Sequence, residues 1–306
     1  MYKILITGVN GFVGKYLYNQ MKSSYVVYGL DLKPNSMVDR MMVCDITQSE
    51  EVRRVLEDAD IDIVIHCAAL AHNDTGKLTN EDFHRVNVEG TKNLINALSF
   101  KKIQRFLLFS SVSVYGEYGC TKAITEEAET NPLTDYAKSK LDAEQLLKDQ
   151  SFFKYFILRM PVIHSPEFLK DIYKRFLTRK IGPLNLILKP GSGNQVHSFC
   201  NIENLFTSII QLIQIEDLES EKFHIADKFQ YSTNDLIRYY KSDKNIIAII
   251  PIPKMLLFCG ISLVGMLKKK KNEYQSIYWK LCENNLYSTK KINSFKISSD
   301  KSIFRK

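Results

Sequence analysis

None of the six cysteines (Cys44, Cys67, Cys120, Cys200, Cys259, Cys282) stands in a CxxC pair, so the sequence offers neither a zinc ribbon nor the disulfide ladder of a small secreted scaffold. They read as reduced thiols of a cytoplasmic protein. A signal peptide is not expected either, because the apolar run after Lys3 reaches only ILIT before Gly8 interrupts it. Internal repeats and low-complexity segments are also missing. With 45% hydrophobic and 25% charged residues in 306, the chain can bury a core without disulfides or metal staples, which excludes disorder and collagen-like structure. The charge is uneven: the tail from residue 250 carries +9 and everything before it −1.

No uninterrupted apolar run of membrane-span length occurs. The stretch IIAIIPIPKMLLFCGISLVGML at 246–267 is broken by Pro251, Pro253 and Lys254, and the apolar residues beyond Lys254 are too few to span. It reads as a buried or partner-facing helix. Together with the four lysines Lys268 to Lys271, the segment 246–271 also offers a weak contact to an anionic membrane surface, at the inner face of the membrane.

What is present is alternation. Short β-rich runs at YKILIT, YVVYGLD, MMVCD, IDIVIH, RFLLFSS and YFILRM are separated by helix-period segments at 11–23, 49–57, 80–98 and 135–150. That pattern predicts a Rossmann-type α/β fold, a doubly wound parallel sheet. After Pro161 the alternation stops, so residues 1–160 are expected to form one domain and 161–306 a smaller lobe with a basic tail.

The first strand ends at Thr7, followed by Gly8, Gly11 and Gly14 at intervals of three. Gly8 permits a tight turn, Gly11 a close approach of backbone to a pyrophosphate, and Gly14 close packing of helix on strand. An anion would sit on the helix N-terminus. The second strand ends at Asp31, twenty residues after Gly11, where a carboxylate accepts hydrogen bonds from ribose hydroxyls and repels a 2′-phosphate. This favours NAD over NADP, with Lys33 the residue that blurs the choice. Asp45 ends the third strand, placed to meet an adenine edge.

Tyr136 and Lys140 lie four apart on one helix and project from the same face. A free phenol has a pKa of about 10, too high for a base at neutral pH, but a neighbouring ammonium favours the phenolate. Ser111, after RFLLFSS, supplies a hydroxyl for the same substrate oxygen. Together the three form an alcohol/ketone redox centre. His66 and His72 invite a metal reading, but six residues on a strand-to-loop segment suit no common zinc spacing, and no metal is expected.

The chain resembles the extended short-chain dehydrogenase/reductases, in the branch of NAD-dependent nucleotide-sugar epimerases and dehydratases. The resemblance rests on TGVNGFVG (7–14), Asp31, CDI (44–46), HCAALAH (66–72), VNVEGTKNL (86–94), SSVSVYGE (110–117), YAKSK (136–140), LRMP (158–161) and, more loosely, GSGNQVHSFCNIENL (191–205). It implies NAD as cofactor, with Gly8, Gly11, Phe12, Val13 and Gly14 at the pyrophosphate, Asp31 at the ribose, and Asp45 and Ile46 at the adenine. Ala68, Ala69 and Asn87 would line the middle of the cofactor, and Pro161 would lie beside it. Lys140 would hold the nicotinamide ribose. Ser111 and Tyr136 would be catalytic and touch the sugar, and His197 would bind substrate. The implied partner is a nucleotide-diphosphate sugar, UDP-linked, and a homodimer through helices 80–98 and 135–150 is implied too.

Dehydratases of this family place an Asp–Glu pair directly after the catalytic hydroxyl, where this chain has Val112 and Ser113. That points away from 4,6-dehydration, to a 4-epimerase of a UDP-hexose or UDP-N-acetylhexosamine. The alternative is a reductase of a UDP-4-keto-6-deoxy sugar for surface polysaccharides, which HCAALAH and GNQVHSF resemble. Two departures concern the substrate. His197 stands where the family has an arginine that clamps diphosphate, so either it is protonated against phosphate or another base does that job. His164, Ser165 and Pro166 stand in place of Tyr-Gly-Pro. A non-catalytic cofactor-binding regulator predicts a damaged trio, whereas all three residues are intact. Nucleic acid is not an expected partner, since the basic tail lacks interleaved aromatics beyond Tyr274, Tyr278 and Trp279.

Overall fold

The computed structural model describes residues 1–71, 78–116, 118–181, 184–241, 246–295, 297 and 302. All six expected strands form: β1 (Lys3–Thr7), β2 (Val26–Asp31), β3 (Arg40–Val43), β4 (Ile63–His66), β5 (Arg105–Ser111) and β6 (Lys154–Met160). The helices between them are α1 (Phe12–Met21), α2 (Ser49–Leu56), α3 (Asn80–Phe83), α4 (Gly90–Leu98) and α5 (Asp135–Lys148). The segment expected as one helix over 80–98 contains a wider π turn at His84–Glu89 between α3 and α4.

In the second half come β7 (Ile163–His164), β8 (Leu177–Ile181), β9 (Leu184–Pro190), β10 (Val196–Ser198), β11 (Cys200–Asn201), α6 (Ile202–Gln214), β12 (Glu221–His224), β13 (Gln230–Ser232), α7 (Thr233–Lys241), β14 (Ile246–Ile252), α8 (Lys254–Leu267), α9 (Lys271–Cys282) and α10 (Lys290–Ser294).

The central sheet has seven strands in the order β12-β6-β5-β4-β1-β2-β3. The pairs β2/β3, β1/β2, β1/β4 and β4/β5 run parallel. Both faces of the middle strands are buried: Leu5, Val64 and Phe106 join one core with Val52 and Leu56 of α2, Leu94 and Leu98 of α4, and Leu147 of α5. Their neighbours Ile4, Ile6, Ile63, Ile65 and Leu107 point the other way and are equally buried. This explains why the strands read as continuous apolar runs, as parallel sheets covered by helices do. The strand order reverses at β1/β4, where ligands of open α/β sheets bind beyond the carboxyl ends.

The chain folds into two compact units. The first comprises residues 1–111, 135–159 and 209–223; the second comprises 112–134, 160–208 and 224–306. In the second, β14, β9 and β8 form a three-stranded sheet, β10 pairs with β13, and β7 with β11. Its core gathers Ile172, Phe176, Ile187, Phe199, Tyr231, Leu236 and Ile237.

Candidate active site

The glycine run forms a tight turn between β1 and α1. Gly8 has φ +68°, and a Cβ there would meet the backbone of Ala68 at 2.8 Å. A Cβ on Gly14 would come within 2.2 Å of the Gly8 carbonyl oxygen, so α1 seats on the turn only with glycine at this position. Gly11 caps α1 in extended conformation without a side-chain hydrogen bond, and no acid stands in the first turn where Phe12 and Val13 lie. The N–H groups there are oriented for an anion.

Asp31 is held against this turn, its Oδ2 accepting the Asn10 amide at 3.0 Å, while Asn10 Nδ2 donates to the Lys33 carbonyl at 2.8 Å. Asp45 accepts the Thr47 amide at 2.9 Å, and Ile46 lies buried where Gly90 has no Cβ, which would sit 2.7 Å from its Cδ1. Removing the carboxylate of Asp31 is expected to weaken NAD binding and narrow the preference over NADP: Asp31→Ser should shift the Kd ratio about tenfold or more toward NADP. Titration of both dinucleotides against the purified variant measures it, and an unchanged ratio would contradict the role.

Asn87 sits in the π turn, buried. Its Oδ1 accepts the Leu70 amide at 2.8 Å, and its Nδ2 donates to the Leu70 carbonyl and to Ser139 Oγ at 3.0 and 2.9 Å. One side chain thus ties the Ala68–Ala69–Leu70 loop to α5. The Thr91 hydroxyl donates to the Asn87 carbonyl at 2.6 Å, a back-bond that accompanies the widened turn; such π turns recur at functional sites.

Lys140 is buried on α5, its Nζ donating to the Phe109 carbonyl at 2.8 Å. That bond holds the helix to the end of β5, two residues before Ser111, which is buried. Tyr136, one turn earlier, is half-buried, with its ring edge-on to Phe83 at 6.2 Å. The Tyr136 carbonyl accepts from Ser139 Oγ at 2.9 Å. All three proposed catalytic residues therefore belong to the first unit. Burial lowers the Lys140 pKa to about 8, against the opposing influence of Cys67 and Glu144.

Several side chains that the spacing did not single out support this group. Glu144, four residues beyond Lys140, accepts from Arg159 through Nε at 2.9 Å and Nη2 at 2.6 Å, and from Ser110 Oγ at 2.5 Å, all buried. Its spacing on the Lys140 face was the available signal. His66 is flanked by Thr7 Oγ1 at 2.6 Å and Thr91 Oγ1 at 2.9 Å, and burial followed by the Lys140 charge lowers its pKa to about 3. Both ring nitrogens are thus engaged in tying β1 and β4 to α4. His72 lies outside the described residues.

In the second unit, Pro161 is buried directly after β6. His197 on β10 is fully buried, with Nε2 3.0 Å from Thr233 Oγ1, and burial followed by the Arg175 charge holds it well below its ordinary pKa. Of the two options left by the sequence, protonation against phosphate is therefore disfavoured: a sealed imidazole beside a guanidinium stays neutral. His164 lies 3.1 Å from Asp227 Oδ2, whose partner oxygen accepts from the Asn201 amide and Asn204 Nδ2. The unusual His-Ser-Pro is thereby locked into β7 and the start of α6.

The family model described as the NAD dependent epimerase/dehydratase family matches residues 4–226, spanning both the glycine turn and the Tyr136–Lys140 helix. The chain belongs to this family. The family is NAD dependent, and its cofactor fits a turn where a Cβ on Gly8 or Gly14 would meet backbone and beside which Asp31 is bonded to the Asn10 amide.

Among its relatives, dTDP-D-glucose 4,6-dehydratase of Dictyostelium discoideum is 26% identical over 270 residues, 77% of this chain and 61% of that one. The chain thus spans less than two thirds of that relative's length. GDP-6-deoxy-D-talose 4-dehydrogenase of Aggregatibacter actinomycetemcomitans is 26% identical over 251 residues, covering 77% of this chain and 78% of the relative. Among solved structures, UDP-glucuronic acid 4-epimerase of Bacillus cereus superposes with a TM-score of 0.70 at 20% identity, covering 98% of this chain and 95% of the other. It shares the fold.

Proposed function

We propose that this family member is a 4-epimerase of a UDP-hexose or UDP-N-acetylhexosamine that works by transient oxidation to the 4-keto sugar. The carrying observation is the pairing of a buried Lys140, bonded to the β5 end beside Ser111, with Tyr136 one helical turn away. Gly8, Gly11, Gly14, Asp31, Asp45 and Asn87 would hold NAD, which when bound supplies a hydride acceptor and donor at C4.

Tyr136 takes the proton of the C4 hydroxyl and, once the 4-keto sugar has turned to present its other face, returns it to the same oxygen, which Ser111 holds in place by hydrogen bonding. The Lys140 ammonium favours the phenolate form of Tyr136 and binds ribose hydroxyls. Val112 and Ser113 offer no carboxyl group to drive loss of water, whereas the family resemblance implies an acidic pair there in a dehydratase. With His197 neutral, diphosphate charge falls to another basic residue, the second option that the sequence left open.

A second reading, reduction of a UDP-4-keto-6-deoxy sugar, is favoured by the relative named as a 4-dehydrogenase, with which the chain shares most of both lengths. Incubation with UDP-GlcNAc, UDP-Glc and a UDP-4-keto-6-deoxy sugar, with and without NADH, followed by product analysis, separates the two. Interconversion of C4 epimers without added NADH is expected. Stoichiometric NADH consumption would replace epimerisation by reduction, and no conversion under any condition would reject both.

A further inference from the structure

Helix α8 does not bury its apolar surface as its hydropathy suggested. Internal contact is confined to the side facing α9: Leu257, Ile261 and Gly265, spaced by four, where Leu257 and Ile261 join the cluster of Leu281, Cys282 and Tyr278, and Phe258, though 48% exposed, sets its ring edge-on to Tyr278 at 5.2 Å. A Cβ on Gly265 would sit 2.8 Å from Tyr274 Cβ. Around the rest of the helix Met255, Leu256, Leu263, Val264, Met266 and Leu267 are exposed, Met255 and Leu267 each at 76%. Immediately before it, β14 lies at the edge of its sheet and exposes Ile247, Ile249 and Ile250. A continuous run of bare apolar residues of this kind marks an interaction surface.

The charge beside it selects the occupant. No charged residue interrupts α8 between Lys254 and Lys268. At its end Lys269 adopts a left-handed conformation, φ 54°, in the turn to α9. That turn gathers Lys268, Lys269 and Lys271, all exposed, at the end of the apolar face. A protein surface binding a second copy here would bring together two tails of +9. An anionic lipid surface matches both features.

We propose that α8 docks in the interface of an anionic membrane leaflet, lying in its plane. Its exposed apolar side enters the boundary between headgroups and acyl chains, and Lys268, Lys269 and Lys271 meet lipid phosphates. At a rise of about 1.5 Å per residue α8 reaches about 21 Å, short of the roughly 30 Å hydrocarbon core. No helix among the described residues is long and apolar enough to cross. The membrane contact therefore lies on the surface.

Flotation of the full chain with phosphatidylcholine vesicles containing about 30% phosphatidylglycerol tests this, alongside pure phosphatidylcholine vesicles. Binding to the anionic vesicles at low salt is expected, with release at about 0.5 M salt. Cys259, the one exposed cysteine of the six, lies on α8 and takes an environment-sensitive fluorophore whose emission should shift to the blue on binding.

Lys268→Gln, Lys269→Gln and Lys271→Gln together should weaken partitioning about a hundredfold, and Leu256→Ser with Phe258→Ser should abolish it. NAD binding reports that both variants are folded. Absence of flotation on anionic vesicles at low salt would overturn the proposal, as would flotation insensitive to both variants. Self-association abolished by Leu256→Ser with Phe258→Ser, without flotation, would overturn it in favour of a second copy. None of these readouts depends on turnover, so the inference is tested independently of the catalytic reading.

Discussion

Tyr136→Phe is expected to bind NAD as the unaltered enzyme does and to lose turnover by about a thousandfold or more, because it keeps the ring and removes only the proton-transferring oxygen. The ring contact with Phe83 survives the change, and the backbone carbonyl still accepts from Ser139. The loss should therefore appear in kcat and not in cofactor affinity. Product analysis under saturating sugar nucleotide gives the first quantity, and dinucleotide titration the second. Near-normal turnover would remove Tyr136 from the chemistry.

The pH profile carries a companion signature. Burial lowers the Lys140 pKa to about 8, so the ammonium is charged below that value and progressively neutral above it. In the free enzyme kcat/KM should decline as pH rises past about 8, and a profile flat to pH 10 would contradict the electrostatic role.

Glu144→Gln is expected to destabilise the first unit by about 3–5 kcal/mol, the cost of breaking a buried ion pair from one side. The carboxylate is fully buried and receives the Arg159 guanidinium through two nitrogens together with the Ser110 hydroxyl. Removing its charge leaves the guanidinium without compensation in a site sealed from water. Replacing both partners by apolar residues of similar volume, Glu144→Leu with Arg159→Met, should recover much of the loss, since neither charge then remains buried. Urea denaturation followed by circular dichroism reads both variants. A midpoint unchanged in Glu144→Gln would mean that the pair contributes nothing, and a double variant worse than the single would mean that packing outweighs charge. The pair joins α5 to β6, and the serine extends it to β5, so the same substitution is expected to loosen the seat of Lys140 one turn away.

How far the sequence carried the structure is visible element by element. The runs YKILIT, IDIVIH and RFLLFSS announced β1, β4 and β5 because a strand covered on both faces must be apolar at every position. The seventh strand, β12, was not legible: four residues of mixed character after a long excursion acquire strand identity only from the sheet edge they join. The helix expected over 80–98 has the right period throughout. Its π turn at 84–89 involves side chains distant in sequence, with Asn87 reaching Ser139 and Thr91 reaching His66. His197 was legible as a departure from the family's arginine. Its neutrality was not, since that depends on complete burial and on a guanidinium brought near from residue 175.

Local order determined the glycine turn, the acid at the end of β2, and the Tyr–Lys spacing on α5, because each depends on backbone geometry that nearby residues set by themselves. Only the tertiary structure decided which buried charges are paired, which histidines stay neutral, and that the most apolar helix faces outward. Desolvation and pairing depend on what surrounds a group in space, and residues far apart in the chain supply that surrounding.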